Sequence, residues 1–288
     1  MSIKYLGFDV PVLLKDGSTI LSQHLKDSDT LLGLYPNSVE ITDIEIIKDV
    51  ICKVIPRYGS TFTIGMRNKL DKELTKTYVD FPLKPIKIDP YFLGFCIGLN
   101  NYKNEQIIFD VKEIYEEIYN YLITMIRHTN MKYTIEKNGY LKIIDCRVIE
   151  YFRFYGLFDN RNIPEIYKYN KINFRYRLLG GILDSKGKYV DFGGGYYEIT
   201  DDEDLIRDID YISKSVGLFT ILYKNPDDYT LRIFGNNLCS IYSLITKMEN
   251  NIPNPVCDFK VAPLLFDNRC VKLVVSGENI VLSDFTVI

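Results

Sequence analysis

The chain has 288 residues, 47% hydrophobic and 25% charged, enough apolar side chain for one large core or two ordinary ones. It has no run of about 18 apolar residues and no secretory lead in MSIKYLGFDV, which argues against a membrane-spanning helix and for a cytoplasmic or nuclear protein. A net charge of −3 argues against a uniformly basic nucleic-acid binder; six scattered cysteines without a CxxC pair, and only two histidines, argue for reduced thiols and against a zinc cage.

The first 85 residues read as β-rich. VPVLLKDGST is a strand, a turn and a strand start, and VEITDIEIIKDVICKVIPRYGSTFTIG alternates apolar and polar positions. The prolines of FPLKPIKIDP mark a domain boundary. Beyond it YFLGFCIGLNN and KEIYEEIYNYLITMIRHT have helical periodicity, MKYTIEKNGYLKII is a hairpin through Asn138-Gly139, and CRVIEYFRFYG is helical again. The order then recurs. RYRLLGGILDSKG is a helix, KYVDFGGGYYEIT is strand-turn-strand, DDEDLIRDIDYISKSVG is a helix with an acidic first turn, and LFTILYKNPDDYTLRIFGN is a hairpin. Phe92 to Asn100 overlay Leu179 to Gly187 at an offset of 87 residues, so the region from 90 to 256 reads as an internal αββαββ repeat. The segment from 257 to the end returns to short strands.

Charge is uneven along this path. Lys132 to Lys188 holds twelve Lys/Arg against six Asp/Glu, and Tyr189 to Asp210 holds eight acids against Arg207 alone. One face suits phosphate and another repels it, or both are solvated surface. Within the helical frame, Gly180 and Gly181 each cost about 0.5–1 kcal/mol relative to Ala, a cost that close approach of a second helix would offset. The partner is the helix carrying Gly94 and Gly98. Side by side, the two helices would bring Leu99-Asn100 and Lys186-Gly187 together.

NIPEIYKYNKINFRYRLLGGILDSKGKY resembles the second motif region of LAGLIDADG homing endonucleases, and PYFLGFCIGLNNYKNEQIIF is similar to the first. GFDVPVLLKDGSTILSQHLKDSDTLLG and ENIVLSDFTVI resemble the two ends of the Hint (protein-splicing) domain of inteins. The resemblance implies an α+β protein: a β-rich, horseshoe-shaped Hint-like domain built from residues 1–87 and 257–288, with a pseudo-two-fold LAGLIDADG domain at 88–256, its repeats at 88–172 and 173–256. It also implies a monomer that binds a long double-stranded DNA site and makes no membrane contact.

The family's catalytic acids bind Mg2+ or Mn2+, but the matching positions here are Leu99 and Lys186. Asp184 and Asn100 are the substitute ligands nearby, and amides serve a hard ion less well than carboxylates. At the splicing positions Gly7 stands for the nucleophile, and Gly65 and Asn68 for the Thr and His of an assisting motif. Cleavage and self-splicing are therefore expected to be lost. Expected DNA-facing residues are Lys132, Tyr133, Lys137 and Lys142 on the first hairpin, Lys188 and Tyr189 after the second motif helix, and Lys224, Tyr229 and Arg232 on the last hairpin. Only every second residue of a strand would face the groove. Arg175 and Arg177 would hold phosphate or anchor the helix start. Two other readings stay open: an active metal-dependent nuclease using a non-standard acid, and an interaction scaffold without DNA binding.

Overall fold

The computed structural model describes residues 1–34, 38–192, 195–246, 257–264 and 269–288. The chain begins with β1 (Ser2–Gly7), β2 (Pro11–Leu13), β3 (Thr19–Leu21), β4 (Thr30–Leu32), β5 (Ser38–Lys48), β6 (Ile51–Pro56), β7 (Phe62–Gly65) and β8 (Thr75–Lys76). The first repeat follows as α1 (Pro90–Leu99), β9 (Tyr102–Lys103), β10 (Gln106–Asp110), α2 (Glu116–His128), β11 (Tyr133–Ile135), β12 (Tyr140–Ile143), α3 (Cys146–Phe154) and the short α4 (Glu165–Lys168). The second runs α5 (Ile172–Lys186), β13 (Lys188–Val190), β14 (Tyr196–Asp201), α6 (Glu203–Ser215), β15 (Phe219–Lys224) and β16 (Tyr229–Phe234). The chain closes with β17 (Phe259–Pro263), β18 (Arg269–Val275) and β19 (Thr286–Val287).

Two compact units emerge. One comprises residues 1–81, 213–221 and 253–288, the other 82–212 and 222–252. Residues 213–221, the end of α6 and the start of β15, belong to the first unit. That unit is built on a seven-stranded sheet in the order β17-β6-β7-β1-β18-β5-β4, antiparallel throughout. β1 pairs with β18 from Ser2↔Val275 to Gly7↔Cys270, so the first strand and a strand from the last twenty residues share one sheet. Among the cysteines, Cys52, Cys96, Cys257 and Cys270 are buried and Cys146 and Cys239 exposed, all with free thiols.

Two four-stranded sheets, β11-β12-β10-β9 and β13-β14-β16-β15, follow the two glycine-bearing helices. Helix α1 starts where the Asp89 carboxylate accepts the Phe92 N–H at 3.1 Å and Pro90 takes the first turn, where a missing N–H costs nothing. It is buried from Pro90 through Gly98, as a helix apolar on all sides requires. It stops at Asn100, which takes the left-handed conformation (φ 52°). Helix α2 is amphipathic by contrast, with Glu116 and Glu117 in its first turn and Arg127 and His128 in its last, each sign opposing the local end of the helix dipole. Among the described residues no helix is long and apolar enough to cross a membrane.

Candidate nucleic-acid interface

Helices α1 and α5 lie against each other backbone to backbone. A Cβ on Gly181 would come within 2.7 Å of Phe95 N, and one on Gly94 within 3.0 Å of the Leu178 carbonyl carbon. Gly98 faces Ser185 Cβ at 3.0 Å on the same measure. Contact positions rise together along both chains, so the helices run parallel and their C-terminal ends fall on the same side. Gly180 departs from expectation. The Cβ it lacks would strike the Tyr242 carbonyl carbon at 2.6 Å, in the loop after β16. About 100° of rotation per residue turns adjacent glycines to different neighbours, so only Gly181 serves the helix pair.

The helix ends hold an ion-pair cluster. Lys186, in the last turn of α5, donates to Asp201 Oδ2 at the end of β14. Arg161 grips the same carboxylate with two bonds of 2.8 Å and donates at 3.0 Å to the Ile97 carbonyl in the last turn of α1. The Arg161 and Lys186 cations outweigh the burial that would raise Asp201, holding its carboxyl below the usual range. Leu99 is partly exposed, and the Asn100 N–H caps α1 on the Cys96 and Ile97 carbonyls.

Asp184 lies apart from this cluster. It accepts from Tyr91 Oη at 2.9 Å, Ser243 Oγ at 2.5 Å and Leu244 N at 2.6 Å, so both oxygens are engaged. Burial, partly offset by those donors, lifts its carboxyl above the ordinary value. Tyr91 packs edge-on against Tyr121 and Tyr242, with ring centroids at 4.8 and 5.6 Å. Among the described residues no group of three or more His, Cys, Asp or Glu is placed to hold a metal ion. At the helix ends described here one carries an ammonium and the other an alkyl chain and an amide, while Asp184 and Asp201 both already accept from several donors, a set poorly suited to a divalent cation.

Register sorts the expected DNA-facing residues. In the first sheet Ile107, Phe109, Leu141 and Ile143 are buried, so the opposite face carries Gln106, Ile108, Thr134, Tyr140 and Lys142. Lys142 Nζ donates to Gln106 Oε1 at 3.0 Å on that face. Lys132 and Lys137 are exposed at the strand end and the hairpin turn. In the second sheet Tyr197, Ile199, Leu231 and Ile233 are buried, leaving Lys188, Tyr196, Glu198, Thr200, Thr230 and Arg232 outward. Arg232 donates to Glu198 Oε2 at 2.8 Å and lies over the rings of Tyr196 and Tyr223 at 5.1 and 4.9 Å. Lys224 is exposed and stands over Tyr229 at 5.6 Å.

Four of the expected residues lie off the outer sheet faces. Tyr133 opposes Ile143, Tyr189 opposes Tyr197, and Tyr229 opposes Asp201 on the parity of buried Ile199, so strand alternation turns all three tyrosines from the outer faces. Tyr229 instead donates to Glu203 Oε2 at 2.7 Å. Arg175 is 0% exposed, with its Nε on the Asn170 carbonyl at 3.0 Å, which is the anchoring alternative and closes it to phosphate. Arg177 is half-buried and donates to Asp89 Oδ2 at 2.8 Å and Tyr121 Oη at 2.7 Å. Sequence reasoning missed Arg161, Asp201, Tyr91 and Ser243; the basic run contained Arg161 and the acidic run Asp201, but nothing in either marked them as partners.

In the first unit Gly7, Gly65 and Asn68, the positions matched by resemblance to the splicing motifs, lie on and beside the paired strands β1 and β7. β1 and β7 pair at Leu6↔Ile64. A Cβ on Gly7 would fall 2.7 Å from Thr63 Cβ, with the Thr63 hydroxyl closer still, so the space for a side chain at position 7 is filled. Thr63 Oγ1 donates to Asp9 Oδ1 at 2.8 Å, and the Gly7 carbonyl accepts from Ser22 Oγ. Gly65 is held as closely, with Asp49 Oδ2 2.6 Å from its missing Cβ. The Asn68 amide accepts the Tyr5 N–H at 3.1 Å and donates to the Tyr5 carbonyl, pairing with β1 as a neighbouring strand would.

No protein-family model matches the chain, and no curated protein matches it. Solved structures similar to it include I-DmoI in complex with DNA and Mn, at 12% identity and a TM-score of 0.39 over 56% of this chain and 100% of that one. Mesophilic variants of the homing endonuclease I-DmoI align at 13% identity and 0.38, over 56% and 98%. I-DmoI with DNA and Ca aligns at 13% identity and 0.38, over 54% and 88%. Likenesses this slight assign no family.

Proposed function

We propose that the chain is an intein-derived, LAGLIDADG-like protein that binds a long double-stranded DNA site as a monomer with internal pseudo-two-fold symmetry, and has lost both cleavage and self-splicing. The observation that carries this reading is the repeated unit itself. Parallel helices packed through Gly94 and Gly181 each lead into a four-stranded antiparallel sheet whose inner face is apolar and whose outer face is polar. A two-stranded ribbon or sheet of this kind fits the major groove, where base edges present distinct donor and acceptor patterns. Lys132, Lys137 and Lys142 on one repeat, with Lys188, Lys224 and Arg232 on the other, supply the positive side chains such a surface uses against phosphate.

Loss of cleavage is supported by the ion pairs at the helix ends, where an ammonium stands at the position matched to a catalytic acid and Asp201 already accepts from Arg161 and Lys186. Loss of splicing is supported by Thr63, which fills the room a nucleophile at position 7 needs. The test is a mobility shift with randomised duplex, comparing the natural chain with the Lys137→Glu/Lys142→Glu variant. Binding by the natural chain and its loss in the folded variant are expected; no binding by either would favour the interaction-scaffold reading, and equal binding by both would overturn the assignment of Lys137 and Lys142.

A further inference from the structure

Both oxygens of the Asp201 carboxylate are held without Lys186. The two terminal nitrogens of Arg161 take both oxygens at 2.8 Å, and the Asp202 N–H donates to Oδ1 at 2.9 Å. Lys186 is thus a supernumerary donor on an anion already held bidentately. The two cations also differ in access. The Arg161 side chain is 19% exposed and tied to the Ile97 carbonyl, whereas Lys186 is 32% exposed at the open end of α5, two residues before outward-facing Lys188. Among the described residues Arg161 Nε and Tyr102 Oη are buried with no hydrogen bond of ordinary geometry, and the Asp202 carboxylate stands 3.7 Å from Arg161 Nη1.

We infer that Asp201 is a built-in phosphate mimic: it masks Lys186 in the free protein, and a backbone phosphate of bound DNA takes Lys186 from it while Arg161 keeps Asp201 in place. The inference rests on the DNA-binding reading and deepens it. Exchange of one anion for another at a flexible ammonium makes or breaks no covalent bond, and the lysine's four-carbon stem lets the ammonium swing from carboxylate to phosphate. The cluster then lowers non-specific attraction to polyanions, because a phosphate must compete with a carboxylate already in place. It also ties the departure of Lys186 from Asp201 to the arrival of DNA beside the parallel helix ends.

The experiment measures fluorescence anisotropy of a labelled duplex across a salt series for the full chain and its Asp201→Asn and Lys186→Gln variants. Asp201→Asn keeps an oxygen for Arg161 and frees Lys186. It is expected to tighten binding roughly tenfold, while Lys186→Gln makes the slope of log K against log salt shallower by about 0.9, the contribution of one phosphate contact. The second variant keeps the test alive if the first fails to fold. Inorganic phosphate is titrated in parallel, following the Lys186 Cε–Hε NMR signal. Duplex binding with the same affinity in Asp201→Asn and the same slope in Lys186→Gln overturns the inference and leaves the DNA reading standing. If no form binds duplex, yet phosphate shifts the Lys186 signal more strongly in Asp201→Asn than in the natural chain, the DNA reading falls and the masked anion site stands. If phosphate shifts it equally or not at all, both fall.

Discussion

Gly181→Ala adds one methyl group where the structure has room for none. The new Cβ would stand 2.7 Å from Phe95 N, and closer still to the Tyr91 carbonyl oxygen, against an ordinary contact distance of 3.4 Å, so α1 and α5 must separate by more than 0.7 Å (3.4 − 2.7). The opposing atoms are backbone, which cannot rotate aside as a side chain does. Overpacking of this kind costs about 1–3 kcal/mol, and the rigid neighbour places this site at the upper end. Helix propensity returns about 1 kcal/mol, which leaves a net loss of about 2 kcal/mol. For a unit of this size that is a fall in Tm of about 4–8 °C.

The partner glycine sharpens the test. Gly94→Ala meets the Leu178 carbonyl carbon at 3.0 Å across the same interface, and the same separation accommodates both methyls. The double variant should therefore cost less than the sum of the singles, as sites sharing one displacement do. Thermal unfolding gives the totals, and hydrogen exchange of the α1 and α5 amides localises the loss. Exposed Asn173, on the same helix, is the control: Asn173→Ala should be neutral or slightly stabilising. A neutral or stabilising Gly181→Ala, or full additivity with Gly94→Ala, would refute close helix packing as the reason for these glycines.

Other outcomes follow from the same structure. Gly7→Ser should destabilise the first unit by about 1–3 kcal/mol and restore no peptide cleavage at that position, and adding Thr63→Ala should recover most of the loss, both read by urea unfolding and intact mass. Asp284→Asn leaves Lys76, 5% exposed and bonded to Asp284 Oδ2 at 2.7 Å, with a buried uncompensated charge, at a cost of about 3–5 kcal/mol in equilibrium unfolding. Burial would raise the Asp284 carboxyl, but Lys76 outweighs it and holds it below the ordinary 3.8. Its contribution to stability is thus present above pH 3.8 and lost as pH falls through the folded value; a natural chain whose acid unfolding matches that of Asp284→Asn would contradict this. Carbon NMR titration should place the Asp184 midpoint above 3.8 and that of Asp201 below it, because burial dominates at the first and the Arg161 and Lys186 cations at the second. The reverse order would undo the assignment of Asp184 as a buried acceptor and Asp201 as a cation-held anion.

What was legible in the sequence was local. Glycines in an apolar helical frame, the Asn138-Gly139 hairpin and the proline-rich connector each carry their cause within a few residues. Sheet faces were not legible to the same degree. Tyr133 and Lys142 lie on one hairpin yet on opposite faces, and a register shift of one residue would exchange them. The ion-pair cluster was hidden for another reason: Arg161 and Asp201 are 40 residues apart, and only the tertiary fold decides which acid in the run from Asp201 to Asp204 the guanidinium takes. Arg175 shows the limit of composition, since an arginine is expected at the surface and this one is buried, its Nε donating to a backbone carbonyl five residues back.

The measurement that bears most directly on the account is selection of the full chain on randomised duplex DNA, followed by incubation of any enriched sequence with magnesium and with manganese. The account predicts one long enriched site, affinity that falls steeply with salt, and intact strands under either metal. Failure to enrich any sequence, or cleavage of the enriched one, would contradict it.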